Sequence, residues 1–171
     1  MKILLLMTAL IALSYGAASM IEVSGFKTAD QLLNDIQSDY DNIYSVIFFK
    51  RDDTNFELTQ KNKKLLEGLK SVADAKAPKI TDAKIKYLYF ARVDVSVPEN
   101  KRLWERFGLN ATSCDEYPSA AVMKNAQGSW IDGPAIVSLF DKWLDTASGL
   151  AAAAAPKPAA AAAAPAPAGK L

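Results

Sequence analysis

Residues 85–130 constrain this chain more than any other stretch. They open as an apolar strand ending in Val93, Asp94 and Val95 and continue into a helix that closes on Phe107, Gly108 and Leu109. A Tyr117-Pro118-Ser119 step then leads into residues 120–123, which turn at Asn125-Ala126-Gln127-Gly128 and return through residues 129–131 as a hairpin. A strand, a helix and a closing hairpin in this order belong in one mixed sheet.

The upstream residues extend the same alternation. Residues 21–23 form a short first strand, and Thr28 with Gln31 makes a capping box for a helix burying Leu32, Leu33 and Ile36. Residues 44–49 are apolar apart from Ser45, as a central strand covered on both faces requires. Thr54 with Glu57 is expected to cap a longer helix that turns Leu58, Leu65, Leu66 and Leu69 inward. Residues 75–84 are rich in lysine and read as a solvated loop. Ser96 with Glu99, and Pro98 in the first turn, open the helix carrying Leu103, Trp104 and Phe107. A last helix sets Ile136, Leu139, Phe140, Trp143 and Leu144 on one stripe. The predicted fold is α/β, in the order β-α-β-α-β-α-β-β-α, with a central mixed sheet and helices on both faces.

Both ends differ from this middle. Lys2, a run over residues 3–13 that is apolar apart from Thr8, and the small residues Gly16, Ala17, Ala18 and Ser19 have the pattern of a secretory signal peptide over residues 1–18. The alternative is an uncleaved anchor, because residues 3–21 approach the ~20 apolar residues that span a bilayer. The globular part is expected over residues 19–149. Residues 150–171 are almost wholly alanine and proline, which reads as an extended or partly helical spacer without a core of its own.

Charge and composition then narrow the chemistry. Twenty basic residues against 19 acidic ones give no field to gather nucleic acid or an anionic membrane. Histidine is absent, which removes the usual zinc ligand and the commonest general base together. The carboxylates show no metal-ligand spacing, and a divalent site on Asp52, Asp53 and Glu57 is disfavoured. No metal and no cofactor are implied. The expected partners are proteins, with membrane contact only through an uncleaved N-terminal segment or a membrane-protein partner.

The motifs Ala91-Arg92-Val93-Asp94-Val95, Phe107-Gly108-Leu109 and Tyr117-Pro118-Ser119 give residues 21–148 a resemblance to the thioredoxin-like superfamily, as in protein disulfide isomerase domains. The resemblance implies a cis proline at Pro118, facing a binding surface made with Tyr117 and Ser119. It also implies a Cys-x-x-Cys at the start of the helix after residues 44–49. There this chain has Asp53, Thr54, Asn55 and Phe56, so the two thiol positions fall on Asp53 and Phe56. The tryptophan position falls on Asp52, and the family's buried proton-relay carboxylate falls on Ile47. Dithiol exchange needs an attacking thiolate and a resolving thiol, so it is not expected.

Cys114 is the only cysteine, four residues before Pro118. Three readings stand open for it: a sheltered free thiol, a disulfide to a partner chain, or a monothiol active site. Asp115 and Glu116 beside it would raise a thiol pKa. Asn110-Ala111-Thr112 is an N-glycosylation sequon in the same loop. Together these features lead us to expect a redox-inactive binding or scaffold module of the secretory pathway, in the endoplasmic reticulum lumen or outside the cell. It would act as an accessory subunit or a chaperone-like peptide binder rather than an enzyme. The alternative is a monothiol redox enzyme using Cys114.

Overall fold

A computed structural model of the chain describes residues 17–23, 29–52, 54–110 and 112–150. Residues 1–16, most of the expected signal peptide or anchor, the cap at Thr28, Asp53, and the alanine-proline segment from residue 151 lie outside the described residues. Ala18, at the expected cleavage point, is buried, and its N–H donates to the Ile80 carbonyl at 3.4 Å.

The element order is β1 (Ser19–Val23), α1 (Ala29–Ser38), β2 (Ile43–Phe49), α2 (Phe56–Lys76), β3 (Tyr87–Asp94), α3 (Lys101–Arg106), β4 (Ser119–Lys124), β5 (Gln127–Ile131) and α4 (Ile136–Ser148). Single 3-10 turns at Ala77–Lys79 and Pro98–Asn100 interrupt the connections. The five strands make one sheet in the spatial order β1-β3-β2-β4-β5. Both β1 and β2 run parallel to β3, while β4 runs antiparallel to β2 and to β5. The chain is therefore α/β with a mixed sheet.

The apolar run of β2 explains its central place, because a strand covered on both faces cannot afford a polar face. Ile43 and Ile47 point to one side, where Leu66 and Leu69 of α2 and Ile136, Phe140 and Leu144 of α4 cover them. Tyr44, Val46 and Phe48 point to the other, under Leu32 and Ile36 of α1 and Leu103 and Trp104 of α3. Phe48, Phe90 and Phe140 have no exposed surface. Each contributes about 1.5–3 kcal/mol of burial relative to solvent. Lys76 adds a tie across the first layer by pairing with Asp141 and Asp145 of α4.

Three local expectations are corrected. The cap of α2 is Asn55, whose Oδ1 accepts from the Leu58 N–H at 3.0 Å, rather than Thr54. Thr54 is drawn instead to Asp52, whose Oδ1 accepts from its N–H at 2.9 Å and its hydroxyl at 2.6 Å. Ser96 likewise gives its N–H and hydroxyl to Asp94 Oδ1, so no capping box forms with Glu99. Residues 75–84 are not simply a solvated loop: α2 continues to Lys76, and Ala77 and Ile80 enter the core.

The β4–β5 hairpin turns on two residues, Asn125 and Ala126, with φ of 55° and 54°. Paired left-handed residues match the right-handed twist of the strands they join. Gly128 follows because a Cβ there would lie 2.3 Å from the Val122 carbonyl oxygen.

Candidate functional site

The candidate site lies where β2 ends and α2 begins. Phe49 is the last residue of β2, and its carbonyl accepts from the Val95 N–H at 2.9 Å, which holds the strand end beside β3. The chain then leaves the sheet at Lys50. Asn62, buried in the second turn of α2, donates from Nδ2 to the Lys50 carbonyl at 2.9 Å and fixes the exit from the strand. Its Oδ1 has no hydrogen-bond partner among the described residues.

Asp52 organises the next turn through Thr54 and through the Asn55 N–H, at 3.2 Å. Hydrogen bonds from the Thr54 hydroxyl and backbone hold the Asp52 carboxyl below its ordinary value. The acidic residue is thus engaged by the turn itself, and among the described residues no cluster of His, Cys, Asp or Glu could hold a metal ion.

Phe56, the first residue of α2, leaves 73% of its surface exposed. With Glu57, Gln60, Lys61, Lys64 and Leu65 it lines a shallow groove of about 490 Å³. Lys61 reaches from this groove across to the loop before β4, where its ammonium nitrogen stands 3.5 Å from the centre of the Tyr117 ring. A second tie joins the same two segments, since Lys50 Nζ pairs with Asp115 at 2.6 Å. That hydrogen bond raises the Lys50 pKa, the largest of the causes acting on it.

Of the residues expected at the site, Phe56 and Tyr117 are therefore brought to one face through Lys61. Thr54 and Asn55 stay in the turn as helix-entry residues. Pro118 is buried, and Ser119 is 3% exposed and paired with Phe48 in the ladder. Among the described residues no peptide bond is cis, which corrects the cis step expected at Pro118. Pro118 here enters β4 as an ordinary trans residue. Ile47, at the position matched to a relay carboxylate, has no exposed surface and packs in the core below α2 and α4. Trp104 packs in the core on the opposite layer.

Cys114 lies under the same loop with no exposed surface. Its thiol faces Ser119 Oγ at 3.9 Å. Burial pushes its pKa up, and hydrogen bonding with the Ser119 side chain and backbone only partly opposes this. A neutral, covered thiol is a poor nucleophile, and it offers no sulfur to a partner chain while the loop stays closed. Asn110 is exposed, and its Oδ1 accepts from the Thr112 N–H at 2.9 Å and the Thr112 hydroxyl at 2.8 Å.

Lys61 and Asn62 are not among the residues expected at the site. Lys61 gives no sequence signal, since its ring partner is 56 positions away (117 − 61). Asn62 does: it interrupts the apolar stripe running from Leu58 through Leu65, Leu66 and Leu69, and a polar residue there needs a buried partner. The arrangement offers an apolar surface flanked by lysines and holds no accessible thiol or imidazole. No protein-family model matches the chain, and no curated protein matches it.

Proposed function

We propose that this chain is a redox-inactive, thioredoxin-like protein-binding module of the secretory pathway that serves as an accessory subunit of a larger assembly. The sheet order β1-β3-β2-β4-β5, with its parallel core and antiparallel closing hairpin, supports the thioredoxin-like reading. The single observation that carries the binding role is Phe56. A large apolar side chain stands 73% exposed at a helix start that the resemblance assigns to a thiol. Covering such a ring contributes about 1.5–3 kcal/mol, the scale of an interface anchor. Lys61 and Lys64 at the rim favour a partner segment that is apolar with acidic flanks.

A chaperone-like role for the same groove differs in the number of clients rather than in chemistry. Monothiol catalysis at Cys114 draws no support from a thiol with no exposed surface. The test is photo-cross-linking with a benzophenone residue in place of Phe56, and a control at Leu139 on the exposed side of α4. The proposal expects one adduct of fixed mass from position 56 and none from position 139. A ladder of many adducts would make the chain a chaperone-like binder. Catalysed reduction of a disulfide substrate by the purified chain would remove the redox-inactive reading altogether.

A further inference from the structure

We infer that Asn110 is an N-glycan acceptor, an inference resting on the reading above that the chain enters the secretory lumen. The sequon Asn110-Ala111-Thr112 supplies the acceptor amide and the hydroxyl two residues on. The fold adds what a sequon alone does not. Asn110 and Thr112 are both exposed, on the connection between α3 and β4.

The two ends of the Asn110 amide are also used differently. Oδ1 accepts three hydrogen bonds, from the Thr112 N–H at 2.9 Å, the Thr112 hydroxyl at 2.8 Å and the Ser113 hydroxyl at 3.1 Å. The Asn110 backbone N–H in turn donates to Ser113 Oγ at 2.9 Å, closing the turn. Nδ2 donates to no group among the described residues. The atom that would carry the sugar is thus one that no described residue holds, while the atom that holds the turn is not consumed by the chemistry.

The transfer joins Nδ2 to the anomeric carbon of a lipid-pyrophosphate-linked oligosaccharide. The new C–N bond forms as the C–O bond to the pyrophosphate breaks. The lipid pyrophosphate departs with that electron pair, and one amide proton passes to a base of the transferase. Nothing is oxidised or reduced. The product keeps one N–H and an unaltered Oδ1, so the turn with Thr112 and Ser113 survives glycan attachment. The chain can fold around the sugar and keep these hydrogen bonds.

The experiment compares masses of the endogenous full-length protein before and after peptide N-glycosidase, beside three expressed variants. Thr112→Ala removes the hydroxyl, Thr112→Ser restores it, and Thr81→Asn with Ala83→Thr writes a control sequon into another exposed loop. The expected result is one enzyme-sensitive mass step in the natural protein, absent from Thr112→Ala, kept in Thr112→Ser and doubled in the control. A control that gains its step while Asn110 stays bare would overturn the inference and leave the secretory reading standing. If neither site is modified, both fall.

Discussion

Lys61 holds its ammonium nitrogen 3.5 Å from the centre of the Tyr117 ring, joining α2 to the loop that leads into β4. The ring's negative face attracts the cation, a contact worth about 0.5–1 kcal/mol at a partly exposed site. A double-mutant cycle with Lys61→Met and Tyr117→Leu should return a coupling of about that size in denaturant unfolding. A coupling indistinguishable from zero would show that the two segments are held by Lys50 and Asp115 instead.

Cys114 should behave as a core residue. Burial raises its pKa, so the thiol is neutral in the folded protein at pH 8. Alkylation by iodoacetamide is expected to be negligible in buffer and to rise with denaturant along the unfolding curve. The chain should run as the same species with and without reductant. Rapid labelling of the native protein would mean that the loop from Asn110 to Tyr117 opens without global unfolding.

Asp39 makes the acid side of the stability profile. Burial pushes its carboxyl up, but hydrogen bonds from the Asn42 side chain, the Tyr44 hydroxyl and the Asn42 and Asp41 N–H groups outweigh this, and the pKa is lowered. A lowered folded pKa means that the unfolded chain takes up the proton first. The contribution is complete above the ordinary value of about 4 and is lost as pH falls through the lower folded one. Denaturant midpoints measured from pH 6 down to 2 should therefore drop on the acid side, and Asp39→Asn should flatten that drop while lowering the midpoint at pH 6. An unchanged acid limb would place the linkage on other carboxylates.

Ala126 sits at φ 54° in the hairpin turn, where a Cβ is strained. A left-handed conformation costs about 1–2 kcal/mol for an ordinary residue. Glycine removes that strain but loses more chain entropy on folding, about 0.5–1 kcal/mol relative to alanine. Ala126→Gly should thus stabilise by about 0.5 kcal/mol, read as a higher urea midpoint at constant slope. Gly128→Ala, two residues on, should be strongly destabilising, because its Cβ would meet the Val122 carbonyl at 2.3 Å.

What the sequence reveals depends on how local each signal is. The central strand is legible because Ile43–Phe49 is apolar at nearly every position, and only a strand buried on both faces needs that. The α4 stripe is legible through its helical spacing at Ile136, Phe140 and Leu144, which are buried, whereas Leu139, expected on the same stripe, is 37% exposed. Helix starts are less so: Thr54 and Asn55 can each cap, and the choice falls to Asn55 because Asp52 has taken Thr54. The same competition by Asp94 removes Ser96 from its expected cap. Residues 75–84 mislead because lysines and a proline on one side conceal Ala77 and Ile80 on the other. At the site, the absence of cysteine from residues 50–56 can be read directly, whereas the face itself depends on Lys61 meeting Tyr117 across the fold. No periodicity encodes a contact of that range.

We propose that the face around Phe56 binds a partner protein in a fixed complex. The most direct measurement is the native mass of the tagged full-length chain, purified gently from its own cells, for the natural sequence and for Phe56→Asp. Phe56 makes little contact with the core, so the variant should keep the melting temperature of the natural protein. A discrete particle heavier than the single chain is expected from the natural sequence, and a monomer from Phe56→Asp. The same discrete particle from both proteins, or a free monomer from both, would contradict it.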